Sequence, residues 1–157
     1  MALITLGANS GKGKILQVVR NYVANVTSHI ETNSTSLVAS GIQATLTPTA
    51  SGNLIIVDFG SAMSDMTGTN RNGHGKMYQK IGSGSFSAMS GASTFHLGYI
   101  AQNENKYRSF NFGGSYTTTS TDTLIFEPYI QSNNSDGSFR IVHSNSSYAL
   151  TLTEVEQ

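Results

Sequence analysis

Four histidines, His29, His74, His96 and His143, are the residues best suited to bind a metal or move a proton. No two of them stand at the spacing that puts two ligands on one strand or helix. They reach a metal only if the fold, or a threefold axis between subunits, gathers them. Asp58, Asp65 and Asp122 offer carboxylates, and nothing pairs them along the chain. Asp65 opens a polar stretch ending in Asn72-Gly73, but this lacks the charge count of a calcium loop. Gly7-x3-Gly11-Lys12-Gly13 invites comparison with a phosphate-binding loop. Its spacing is wrong, no Ser or Thr follows the lysine, and it opens no helix. Ser85, within Gly82-Ser83-Gly84-Ser85-Phe86-Ser87, has small neighbours but lacks the strand-to-helix turn of a nucleophile elbow. There is no cysteine, which excludes disulfides, thiolate zinc sites and thiol nucleophiles. There is no tryptophan either, so Tyr78, Tyr99, Tyr107 and Tyr116 are the aromatic candidates for contact with a sugar or protein. The sequence therefore assembles no catalytic, cofactor-binding or metal-ligating set, and the expectation is a protein that is not an enzyme.

Composition says what kind of scaffold carries these groups. The chain holds 22 serines, 17 threonines and 13 asparagines among 157 residues, and only 11% of it is charged. A helical bundle would need Ala, Glu, Lys, Leu and Arg instead. Simple disorder would need high net charge and few β-branched residues, whereas the net charge here is zero and the β-branched residues come in runs. That balance also argues against a nucleic-acid interface. No apolar run approaches the length of a membrane span, and no signal-peptide pattern opens the chain. The charge is uneven: residues 1–108 hold 8 basic and 4 acidic side chains, residues 109–157 hold 1 and 5. Segregated in space, the two parts would favour contact between subunits.

The apolar runs read as strands. Ile15–Val23 is rich in β-branched residues. Residues 41–48 alternate strictly, with Ile42, Ala44 and Leu46 on one face, and end at Pro48. Leu54–Phe59 is apolar on both faces and reads as a central strand. Residues 60–75 read as polar and turn-rich, with Asn72-Gly73 a strong turn signal. Further strands are expected at 76–81, 94–101, 107–112, 122–130, 138–143 and 147–155, with a hairpin-closing turn at 133–137. The expected fold is all-β, an antiparallel β-sandwich or jelly roll over residues 14–157. A short N-terminal arm, residues 1–13, precedes it and presents Leu3, Ile4 and Leu6 for attachment.

Three stretches together carry a resemblance. They are Lys14-Ile15-Leu16-Gln17-Val18-Val19, Gly41-Ile42-Gln43-Ala44-Thr45-Leu46-Thr47-Pro48-Thr49 before Leu54-Ile55-Ile56-Val57, and the closing Leu150-Thr151-Leu152-Thr153-Glu154-Val155. This order resembles small tail-fibre or virion structural proteins of tailed bacteriophages, especially those of marine bacteria and cyanobacteria. The resemblance implies a jelly roll akin to trimeric receptor-binding tips, located in the virion and assembled in a host cytoplasm. It implies a homotrimer contacting other tail or capsid proteins and a host-surface polysaccharide or protein. Ile55, Val57, Phe59, Leu124, Phe126 and Tyr129 are the candidates to line the threefold axis, although some of them must fill the sandwich itself. A capsid decoration protein on the head lattice is the alternative role, and a stand-alone lectin-like module a second one.

Overall fold

Alternating burial marks most of the strands. In Leu54–Phe59, Ile55, Val57 and Phe59 turn inward while Asp58 is exposed. The computed structural model describes residues 13–67, 71–90, 92, 94–100 and 107–157. In chain order its strands are β1 (Ile15–Val23), β2 (Ile30–Thr32), β3 (Val38–Ala39), β4 (Ala44–Leu46), β5 (Leu54–Met66), β6 (Arg71–Ile81), β7 (Ser87–Ala88), β8 (Phe95–Ile100), β9 (Arg108–Thr117), β10 (Leu124–Ser132), β11 (Phe139–Val142) and β12 (Tyr148–Val155). No helix occurs among the described residues. The expected all-β sandwich is what the chain forms.

One sheet runs β1-β12-β5-β9, with β11 pairing the far end of β5 and β2 beyond it. The other is built on β10 and β6. β4 and β3 pair with β10, while β8 and β7 pair with β6. Every pairing is antiparallel. Taken from the ends of the chain inward, β1 pairs β12, β4 pairs β10, β5 pairs β9 and β6 pairs β8. A long antiparallel ribbon wrapped on itself in this way is a jelly roll. Between the sheets, Ile55, Val57, Phe59, Phe112, Leu150 and Leu152 of one face Leu46, Met77, Leu124, Phe126 and Ile130 of the other. Each large side chain so buried contributes about 1.5–3 kcal/mol.

Several sequence expectations are corrected here. In the segment 60–75, residues 60–66 and 71–75 are strand, not loop: β5 continues to Met66, and β6 begins at Arg71. Its polar residues concealed this, because Ser61, Ser64 and Asp65 are buried. Asn72-Gly73 is not a turn but part of β6. Gly73 is required because a Cβ there would collide with the Phe139 ring. The turn at 133–137 closes no hairpin, since β10 and β11 belong to different sheets. Leu54–Phe59 is central, as expected, but only one of its faces is fully buried.

The candidates for the threefold axis are corrected by burial. Ile55, Val57, Phe59, Leu124 and Phe126 are each no more than 2% exposed in the single chain, so the sandwich itself already covers them. Tyr129 alone points outward, and it stacks on Tyr78 with ring centroids 3.9 Å apart. Leu3, Ile4 and Leu6 lie outside the described residues.

Candidate binding face on the outer sheet

Two of the histidines do come together. The His29 and His143 rings meet edge-on, 4.4 Å between centroids, and Tyr107 packs on His143 from 4.8 Å. The Ser144 N–H donates to His29 Nδ1 over 3.0 Å, and His143 Nδ1 lies 2.7 Å from the Ser144 carbonyl. Burial, then the charge of Arg140 and the neighbouring His143, lower the pKa of His29. His29 thus serves as a neutral acceptor that holds the 143–145 turn. His74 stands elsewhere, on β6, with its Nδ1 3.5 Å from Gln131 Nε2. No group of three or more His, Cys, Asp or Glu able to hold a metal occurs among the described residues. Asp65, the acid considered for an ion, is 1% exposed and is met by Arg140, which also bonds Glu31 at 2.8 Å.

Two further buried acids were not anticipated from sequence. Glu127 accepts from the Gly41 N–H and from Gln43 Nε2, which fastens the strand-like segment before β4. Glu154 accepts from Gln17, Asn53 and both the backbone and hydroxyl of Thr49, at 2.6–2.8 Å. Burial on its own would raise its pKa. The hydrogen bonds from Asn53, Gln17 and Thr49 outweigh that and lower it. Both acids are structural clamps on loops.

Open space lies on the outer face of the β1-β12-β5-β9 sheet. Register aligns two rows across it. Arg20, Thr151, Asp58 and Gly113 form one, and Tyr22, Ala149, Gly60 and Asn111 the next. Because Gly60, Gly113 and Ala149 are small, the middle of the face is sunken. The hollow is an open depression of about 430 Å³ bordered by Asp58, Asn111 and Thr151. A second of about 250 Å³ continues it past Gly60 and Ala149 to Arg20 and Tyr22. Gly113 is fixed by close approach, since a Cβ there would strike the Val57 carbonyl; at Gly60 a Cβ would lie 2.6 Å from Asn111 Oδ1, which the exposed Asn111 side chain can relieve by turning away.

The rim is polar and free. Asp58, Asn111 and Arg20 are exposed, and the side chains of Asp58 and Asn111 make no hydrogen bond among the described residues. The Arg20 guanidinium lies 4.7 Å above the Tyr22 ring, and Tyr22 is 52% exposed. Sequence reasoning passed over Tyr22, Arg20 and Asn111. Of the tyrosines it named, Tyr116 is in the core, Tyr78 is stacked on Tyr129 and Tyr107 covers His143. The side chain of Tyr99 lies outside the described residues.

No family model matches the chain, and no curated protein matches it. Solved structures do. A chain in the structure of infectious bursal disease virus, Gx strain, matches with a TM-score of 0.51 over 98% of this chain at 10% identity. The likeness is one of fold. A chain of the VP2 subviral particle of infectious bursal disease virus matches 99% of this chain with a TM-score of 0.46 and 12% identity. This chain spans 36% and 41% of those two viral chains. The first comes from a virus structure and is not a tail fibre of a tailed phage.

Proposed function

We propose that this protein is a non-enzymatic structural component of a virion, a jelly-roll module displayed on the particle surface. The observation that supports this is the jelly-roll wrapping shared, over 98% of the chain, with a chain of a virus particle. The candidate face agrees with it: a shallow, solvent-open hollow suits surface contact better than chemistry, which needs enclosed and desolvated groups.

Within that reading, residues 14–157 are the displayed domain and residues 1–13 the arm that attaches it to other virion proteins. Appendage-type display for host attachment is the role the bacteriophage resemblance implies. Decoration of the capsid is the second reading, favoured because the structural likeness is to virus-particle chains rather than to a fibre. Assembly into a homotrimer must use surface other than the five buried residues above. Ile15 and Val18, 59% and 56% exposed on the edge strand just beyond the arm, are the apolar side chains placed for it.

Mass spectrometry and imaging of purified particles from the source of this gene test the reading. The expected result is the chain present in stoichiometric amount, with its density on the outside of the head or tail. Absence from purified particles overturns it. Light scattering on the full chain and on a version starting at Gly13 tests the assembly. Three copies are expected for the full chain, and a monomer at micromolar concentration removes the trimer.

A further inference from the structure

We propose that the hollow between Tyr22, Arg20, Asp58 and Asn111 is a binding site for a neutral sugar of about disaccharide size. It gives the host-attachment part of the preceding reading a place and a ligand, and rests on that part alone.

The chemistry of the rim selects the ligand class. A pyranose presents a C–H face and an edge of hydroxyls, each both donor and acceptor. An exposed aromatic plane with planar polar groups around it is complementary to both. Tyr22, 52% exposed, supplies the plane through the ring face that Arg20 does not cover. Asp58 accepts only, Arg20 donates only, and Asn111 and Thr151 do both. Asp58 and Asn111 make no hydrogen bond among the described residues, so a ligand breaks nothing to use them. Charge narrows the class further. Arg20 and Asp58 flank Thr151 in one row, so the site is balanced. A uronate or phosphate would meet Asp58, and an ammonium group would meet Arg20. A neutral hydroxylated ligand satisfies both.

Size follows from sheet geometry. The row from Arg20 to Gly113 crosses three strand spacings, about 14 Å, and the two rows lie about 7 Å apart along the strands. That area accepts two hexose rings lying flat. The floor is low because Gly60, Gly113 and Ala149 carry almost no side chain, and at Gly113 a Cβ is excluded by the Val57 backbone. An open site of this depth holds each sugar weakly. Several copies on one particle would raise the avidity by orders of magnitude without new contacts.

The test is an amide-shift titration of the isotope-labelled full chain with maltose, lactose, cellobiose and N,N′-diacetylchitobiose. An acidic trisaccharide, sialyllactose, is the control. Saturable shifts at Tyr22, Gly60, Asn111 and Gly113 are expected with at least one neutral sugar at millimolar concentration. Ala149→Gln, which fills the floor from an outward position, should weaken binding at least tenfold while leaving the rest of the spectrum in place. Tyr22→Ala, on the edge strand, is the second variant should the first not fold, and the same loss is expected. The proposal is overturned if no neutral sugar shifts those amides, if only sialyllactose does, or if both variants bind as the parent does. It is equally overturned if Ala149→Gln changes the oligomeric state and no sugar binds, since the face is then a contact between copies. Because the titration needs only the isolated chain, absence of the chain from particles would sink the virion reading and leave this result standing.

Discussion

The two outer faces of the sandwich treat the same kind of pleated surface in opposite ways. On the β10–β6 face, Tyr78 and Tyr129 stack within 13° of parallel, and Phe86 leans on Tyr129 from 6.1 Å. Gln131 and His74 meet beside them, and the chain before β4 folds over Glu127. That face is closed by its own side chains. On the β1-β12-β5-β9 face, the corresponding outward positions hold Gly60, Gly113 and Ala149, and the side chains of Asp58 and Asn111 make no hydrogen bond among the described residues. Side-chain size at alternate positions decides whether a sheet face finishes itself or waits for something else.

The largest effect should come from breaking the core on which both faces rest. Phe126→Ala empties a fully buried site and should cost about 3–5 kcal/mol, read as a shift in the denaturant midpoint. If instead the loss is under about 1 kcal/mol, the sheets are not packed as described.

The next effect lies at the end of the sandwich, where Glu154 ties residues 49 and 53 to β12 and β1. Glu154→Gln replaces a charged acceptor with a neutral one and should cost about 1.5–3 kcal/mol at neutral pH. Since the folded-state pKa of Glu154 is lowered, its contribution is fully present above the ordinary value of 4.5 and fades as pH falls through the lower folded value. The parent should therefore lose stability relative to Glu154→Gln below pH 4.5, and the gap between the two denaturation curves should narrow there. A gap that stays constant with pH would show that the carboxylate charge is not what the four hydrogen bonds stabilise.

The smallest effects sharpen the comparison itself. Tyr129→Ala, on the closed face, removes a ring stack and part of its burial and should cost about 2 kcal/mol. Tyr22→Ala, on the open face, loses only the exposed contact with Arg20 and should cost no more than about 1 kcal/mol. Thermal melts of the two variants side by side decide the matter. Equal losses would mean that the open face is already used by the fold.

Much of the scaffold could be read from the chain. The run Ile15–Val23 states a strand, and the alternation of Leu150 and Leu152 with threonines states both strand and inward face. Hydrophobicity misled where it had to serve two purposes. Ile55, Val57 and Phe59 look the same whether they meet another sheet or another subunit, and the opposing sheet claimed them. Polar residues misled at 60–75, because Ser61, Ser64 and Asp65 are buried by the strands around them, which no local pattern reveals. The hollow was invisible for a simpler reason. Gly60 and Gly113 are far apart in sequence, and only the pairing of β5 with β9 makes them neighbours.

The pairing of β1 with β12 has a mechanical meaning. The Gly13 N–H bonds the Glu156 carbonyl at 2.7 Å, and the Glu156 N–H bonds the Lys14 carbonyl at 2.9 Å, so the two ends of the sandwich leave from one corner. Tension applied across both ends would load these bonds one pair at a time and peel β1 from β12 like a zipper. Tension applied through one end alone, against a load on the far loops, would cross the stacked sheets and meet many bonds at once. A module tethered by a single end therefore resists pulling far better than one strung between two anchors.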